Sequence, residues 1–220
     1  MNCIIIADRP SKGIKSKGWN GLIKINKTET LIQNQVKVIR QSFPKSKVIY
    51  IYGFDYKKVE EYFYHSNLDN LVYVNNNRFA SSGDGFSVGT ISEFLEQDCL
   101  IFFGNLILKP SMFKDFKAKK SQIFITPKTE NELGCTFNDK GFVEHICYGL
   151  ENYLSNVYYI SKKDIEQFKN LVTKNYYRNY FLFEIINRMI EKGADFQPNS
   201  FDKKNIFEII TDNNRRTVCK

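Results

Sequence analysis

At 220 residues the chain is long enough for one domain with a sizeable core, and its 42% hydrophobic and 25% charged residues are ordinary for a globular protein. No apolar run reaches the length of a membrane span, and five scattered cysteines without a CxxC pair argue against a zinc cage or a disulfide framework. The formal net charge of +8 lies wholly in the first 50 residues, which hold ten Lys/Arg against two Asp/Glu, while the rest of the chain holds 22 of each. That local field favours an anionic partner: a nucleotide, a nucleic acid or an acidic surface. The start, MNCIIIADRP, has no cationic segment before its four apolar residues, so a cytoplasmic protein is expected.

In chain order, Asn2–Ala7 reads as a buried strand. Thr28 is placed to cap a helix carrying Leu31, Ile32, Gln35, Val36 and Ile39, which Phe43-Pro44 ends. Lys47–Tyr52 is a second strand closed by Gly53, and Asp55 caps a helix with Tyr56, Val59, Tyr62 and Phe63 on one face. Leu71–Val74 is a third strand, followed by a loop, Asn75–Gly85, dense in turn formers. Val88, Ile91, Phe94 and Leu95 mark a helix, and Cys99–Phe103 a fourth strand that stops at Gly104-Asn105. Strand and helix thus alternate through the first half, which predicts parallel strands flanked by helices on both faces. The second half is less regular. Pro110–Lys119 reads as a short helix, Gln122–Thr126 as a strand, and Leu133–Phe137 and Phe142–Cys147 as a hairpin around Asn138–Gly141. Asn156–Ile160 is a strand. Ser161 and Asp164 have capping-box spacing before a helix to about Lys174, a further helix covers Phe181–Lys192, and Ile206–Ile210 is a late strand before a helix capped by Thr211.

The stretch ADRPSKGIKSKGWNGLIKI, residues 7–25, follows the first strand and holds Arg9, Lys12, Lys15, Lys17 and Lys24 with Gly13, Gly18 and Gly21. Glycines let backbone approach a ligand, and Lys and Arg supply charge-assisted donors, so this loop can hold phosphates; a solvated lysine-rich loop has the same composition. In parallel sheets ligands bind beyond the carboxyl ends of the strands, which puts Asp8–Lys24, Asn75–Gly85 and Gly104-Asn105 on one edge. His65 and His145 lie far apart and read as surface residues.

Taken together, these pieces resemble the sugar-1-phosphate nucleotidyltransferase family, including its cytidylyltransferases for small phosphorylated alcohols. IIIADRPSKGIKSKGWNGLIKI is similar to the family's first strand and phosphate loop, NLVYVNNNRFASSGDGFSVGTI to the segment that receives the base, DCLIFFGNLIL to the strand ending in Gly-Asp, and NIFEIITDNN to the closing Glu-Ile-Asp stretch. The resemblance spans nearly the whole chain. It implies an α/β fold of the nucleotide-diphospho-sugar transferase type: Rossmann-like, with a mostly parallel central sheet flanked by helices and a small hairpin in the second half. It also implies a single unit in which residues 1–105 form the nucleotide-binding half and 106–220 the acceptor-binding half. The implied activity is transfer of a nucleotidyl group to a sugar phosphate or small phosphorylated alcohol, with pyrophosphate leaving and Mg²⁺ as cofactor.

The resemblance places the nucleotide against Ala7, Asp8, Arg9, Gly13, Ser82, Gly83, Asp84 and Gly85 and a metal position at Asn105. Displaced groups that could complete the site are Lys12, Lys15, Lys17 and Lys24 as cations for the phosphates and Asp8, Asp84, Glu208 and Asp212 as carboxylates, with Glu208 and Asp212 the candidates for the metal. Both family metal aspartates are replaced, by Asn105 and Ile210, and the lysine before the first helix by Gly21. Two readings follow: an active transferase with a rearranged site, and a catalytically degenerate relative that binds a nucleotide or phosphosugar and regulates a partner enzyme. A nucleic-acid binder using the basic N-terminal part is a minor alternative. A metal-dependent glycosyltransferase is disfavoured because no two aspartates stand two apart. No membrane partner is expected.

Overall fold

The computed structural model describes the chain except for residues 12–14, 16–17, 67, 69, 118, 127–131 and 219–220. β1 (Asn2–Ile6), β2 (Lys47–Tyr52) and β4 (Cys99–Phe103) are almost wholly buried, which is what continuous β-branched and aromatic runs require. Their side chains divide with a period of two. Ile4, Ile6, Ile49, Ile51 and Ile101 enter one core, while Cys3, Ile5, Val48, Tyr50, Leu100 and Phe102 enter the other. With β3 (Leu71–Asn75) these strands run parallel in the order β4-β1-β2-β3. Helices α1 (Leu31–Ser42) and α2 (Tyr56–His65) cover one face. The other is covered by α3 (Asp84–Gly89), α4 (Ile165–Val172) and α5 (Leu182–Glu191).

The second half makes the sheet mixed. β9 (Tyr153–Ile160) runs antiparallel between β4 and β6 (Gln122–Thr126). β10 (Gln197–Ser200) adds to β6 at the edge, where Pro198 costs no interior ladder bond. The expected hairpin is present as β7 (Leu133–Phe137) and β8 (Val143–Tyr148), its turn held by Asn138 Oδ1, which accepts from the amides of Lys140 and Phe142 at 3.0 and 3.1 Å. β5 (Leu106–Leu108) and β11 (Ile206–Glu208) form a separate antiparallel pair. α6 (Asp212–Val218) closes the described chain. The fold is therefore α/β, with a mostly parallel mixed sheet between two helical layers. Among the described residues no helix is long and apolar enough to cross a membrane.

Several elements differ from the sequence expectation. The helix read over Pro110–Lys119 is only a 3-10 turn, Pro110–Phe113, whose Phe113 is drawn into the core beside Phe102 and Phe124. Thr30, not Thr28, caps α1: Gln33 Oε1 accepts from the Thr30 amide at 2.8 Å, while Thr28 is held in a turn by Asn26 Oδ1 at 2.9 Å. Ser161 does not cap α4; its hydroxyl and that of Ser121 donate to Asp164 Oδ2 at 2.8 and 2.5 Å, and the helix starts after Asp164. The late strand ends at Glu208 rather than Ile210. β5 and β10 are additional: β5 is a three-residue strand after a Gly-Asn turn, and Gln-Pro-Asn-Ser carries no strand propensity of its own.

Candidate functional site

β1 and β4 are neighbours in register, with Ile6 opposite Phe103, so the loops starting at Ala7 and Gly104 leave the sheet side by side. The Gly104 amide donates to the Ile6 carbonyl at 2.7 Å, and a Cβ on Gly104 would collide with that of Ala7. Glycine is needed here for close approach. Asn105 follows at the mouth of the edge. Pairing of Leu106 with Glu208 across β5 and β11 then brings the Glu208 carboxylate to it. Glu208 Oε1 accepts from Asn105 Nδ2 at 3.3 Å and from Asn156 Nδ2 at 2.9 Å. Asn156 reaches it from β9 with a left-handed φ of 58°. Asn105 Oδ1 is buried and has no hydrogen-bond partner among the described residues.

The opposite wall comes from the loops after β1 and β3. The buried Asp8 carboxylate accepts from Asn76 Nδ2 at 2.8 Å and Ser87 Oγ at 2.5 Å through one oxygen, Oδ2. Arg9 spans to the other loop: its guanidinium ion-pairs with Asp84, donates to the Ser82 carbonyl, and donates through Nε to the Phe79 carbonyl at 3.0 Å. Burial pushes the Asp84 carboxyl up to about 6; Arg9 opposes that rise, Asp8 adds to it and the Leu182 amide opposes it. Tyr158, buried on β9, has its hydroxyl pushed far above the ordinary range, chiefly by burial and then by the Asp84 and Glu208 charges. It is a neutral group at the site.

These walls enclose a cavity of about 460 Å³ reaching from Asp84 and Asn105 to Tyr148, Phe181 and Phe183, with a smaller one of about 190 Å³ beside Asp8, Arg9 and Gly104. Of the residues singled out in the sequence, Ala7, Asp8, Arg9, Asp84 and Asn105 line the smaller cavity, and Asp84, Asn105 and Glu208 the larger. Gly83 and Gly85 meet protein instead of open space. Their amides donate to the carbonyls of Arg178 and Tyr180 at 2.8 and 3.2 Å, and a Cβ on Gly83 would strike the Tyr180 carbonyl. Lys15 and Lys24 are exposed and line neither cavity. Lys12, Gly13 and Lys17 lie outside the described residues. Asp212 is paired with Arg215 and Arg216 of its own helix, at 2.7 and 2.8 Å, with the Arg215 bond leading in holding its carboxyl below the usual range. His65 and His145 are both exposed.

No protein-family model and no curated protein sequence matches the chain. Solved structures do. CTP:phosphocholine cytidylyltransferase from Streptococcus pneumoniae superposes with a TM-score of 0.81 at 18% identity, covering 98% of this chain and 96% of that one. The chain has the nucleotide-diphospho-sugar transferase fold. Inositol-1-phosphate CTP transferase from T. maritima matches this transferase fold at 0.72 and 14% identity, covering 97% and 90% of the two chains. A nucleoside-diphosphate-sugar pyrophosphorylase from Vibrio cholerae matches at 0.75 and 12%, covering 98% and 99%. The structural relatives of this transferase fold are thus nucleotidyltransferases acting on phosphorylated small molecules. Sequence reasoning missed Asn156, Tyr148, Phe181 and Phe183 as cavity residues. Only the pairing of β9 with β4 and the packing of α5 against β8 bring them there, and no local pattern marks either.

Proposed function

We propose that this protein binds a nucleoside triphosphate, or a sugar nucleotide, at the β1–β4 edge and transfers a nucleotidyl group to a small phosphorylated molecule held in the larger cavity. Residues 1–105 would serve the nucleotide and 106–220 the acceptor. What carries this reading is the meeting of Asn105 with the Glu208 carboxylate inside a cavity at the carboxyl end of β1 and β4. An acceptor phosphate oxygen attacks the α-phosphorus, the bond to the bridging oxygen breaks, and pyrophosphate leaves. Ala7, Asp8, Arg9, Gly13 and the Ser82–Gly85 loop would flank the nucleotide, with Lys12, Lys17 and Lys24 as candidate cations for its phosphates.

The residues present fit a Mg²⁺ ion shared with substrate. Asn105 Oδ1 is a buried oxygen without a partner among the described residues, and Glu208 is a carboxylate at hydrogen-bond distance from the same side chain. Mg²⁺ needs only one or two protein oxygens when phosphates and water complete its shell. When bound, the ion neutralises charge on the phosphates and polarises the reacting phosphorus. Asn156 holds Glu208 in place for this role, whereas Asp212 is engaged by Arg215 and Arg216. The test is a thermal-shift series with the four ribonucleoside triphosphates, with and without Mg²⁺, followed by pyrophosphate release with a panel of phosphomonoesters. Metal-dependent stabilisation and release, both lost in Glu208→Gln, are expected. No shift with any triphosphate overturns the proposal.

A second reading is favoured by one observation: Ile210 lines the same cavity as Asn105, so both positions that the resemblance gives to metal aspartates are uncharged there. On that reading the protein binds its ligand without turnover and acts on a partner enzyme. Asn105→Asp separates the two. Pyrophosphate release that appears only in the variant supports the non-catalytic form.

A further inference from the structure

Another cavity opens where the second parallel pair of the sheet ends. β10 runs parallel to β6 with Ser200 opposite Ile125, and Thr126 at the end of β6 pairs with Tyr153 at the start of β9. Because β9 is antiparallel to both β4 and β6, the carboxyl ends of β6 and β10 lie on the same sheet edge as those of β1 and β4. That is the edge where ligands bind in such sheets. The cavity measures about 670 Å³, within the range of small-molecule sites, and shares no described residue with the two cavities at the β1–β4 edge. Thr126, which lines it, is only 3% exposed, and its Oγ1 is buried without a hydrogen-bond partner. A buried hydroxyl with nothing to bond costs stability that a valine of the same shape does not.

The other polar groups arrive from separate segments. Ser200 brings an exposed hydroxyl from β10. Asn152, at a left-handed φ of 57°, donates its Nδ2 to the Cys135 carbonyl at 3.3 Å, which leaves Oδ1 as an acceptor. The exposed Glu151 carboxylate has no ion-pair partner among the described residues, whereas Asp202 is paired with Lys204 at 2.8 Å. Tyr153 and Phe201 supply half-buried rings, and no Lys or Arg lines the cavity among the described residues. Acids without a facing cation repel phosphates and carboxylates. A single ammonium group cannot reach acceptors placed on three segments at once, but hydroxyls spread over a small molecule can, and each can both donate and accept. We infer that this cavity binds a neutral polyhydroxylated molecule, a sugar or polyol without phosphate. Its hydroxyls bond Thr126, Ser200, Asn152 and Glu151, and its C–H faces lie against Tyr153 and Phe201. The inference does not rest on the nucleotidyl-transfer reading, because the cavities share no residue.

Ligand-observed NMR titration of the full chain with myo-inositol, D-glucose and D-mannitol tests it, with ethanolamine and inorganic phosphate as charged comparisons. At least one polyol is expected to bind about tenfold tighter than either charged probe. Binding of none of the three polyols, or a charged probe bound as tightly as the best of them, overturns the inference. Thr126→Val removes the hydroxyl and keeps the shape, and Glu151→Gln changes an exposed group; circular dichroism checks both folds. Each should weaken the polyol about threefold to tenfold, while Tyr148→Leu, in the larger cavity, should leave its affinity unchanged. Unchanged affinity in either of the first two variants, or loss in Tyr148→Leu, places the ligand elsewhere and overturns the assignment. Thr126→Val should also unfold at a urea midpoint no lower than the wild type, since it strands no partner. A lower midpoint would mean that the hydroxyl is already engaged by the protein and would overturn its role as a ligand contact. The triphosphate series reports separately: its failure removes the transferase reading and leaves the polyol site standing.

Discussion

The two walls of the cavity are built on opposite plans. The wall from the first half is closed upon itself: Asp8 is bound by Asn76 and Ser87, Arg9 by Asp84 and two carbonyls, and the Gly83–Gly85 loop by the backbone of Arg178–Tyr180. The wall from the second half is open, with aromatic rings facing solvent and acids beside them. A ligand gains little from groups whose bonds are already made and must compete for them. It gains directly from exposed rings. Substitutions on the two walls should therefore read out differently, those on the first chiefly in stability and those on the second chiefly in what the larger cavity holds.

The largest effect is expected at Asp8. Asp8→Ala strands Asn76 and Ser87 as buried donors and should cost about 3–4 kcal/mol in chemical denaturation. Gly83→Ala should come next, at about 2–3 kcal/mol by the same measurement, because its Cβ meets the Tyr180 carbonyl, which is backbone and cannot swing away. A third test uses pH. Folding raises the Asp84 pKa from 3.8 to about 6, so the folded state holds that proton more tightly. The resulting stabilisation is full below pH 3.8 and is lost as pH rises through about 6. Between pH 5 and 8 the wild type should lose about 1–1.5 kcal/mol that Asp84→Asn does not lose, read as the difference between their urea midpoints. The smallest effect belongs to the open wall: Tyr148→Leu should change stability by less than about 0.5 kcal/mol. A large loss there would mean that the rings are structural and would erase the contrast between the walls.

Much of this architecture was legible in the chain. β2 and β4 stand where alternation and turn residues put them, and β1 ends one residue short of Ala7, because a buried strand must be apolar throughout and must stop where glycine or asparagine frees the backbone. Asp8, Asp84 and Asn105 were legible as residues of one edge for the same reason, since a parallel sheet gathers its loops there. Lys15 and Lys24 were not: a lysine is drawn to a surface loop by hydration alone, and both are exposed and away from the two cavities. The Gly83–Gly85 loop reads like a ligand cradle, yet its glycines admit the backbone of Tyr180. Glycine permits close approach without specifying to what.

The sequence by itself determined the four strands of the first half, their alternation with helices, and the set of loops at the ligand edge, because hydrophobic period and turn chemistry are local properties. Only the tertiary structure decided which side chains share the cavity. Glu208 meets Asn105 through the pairing of β5 with β11, Arg9 is spent on Asp84 rather than left free, and Tyr148 joins Phe183 across β8 and α5. Each of these contacts joins residues far apart in the chain, where register and packing set the distance and no local pattern records it.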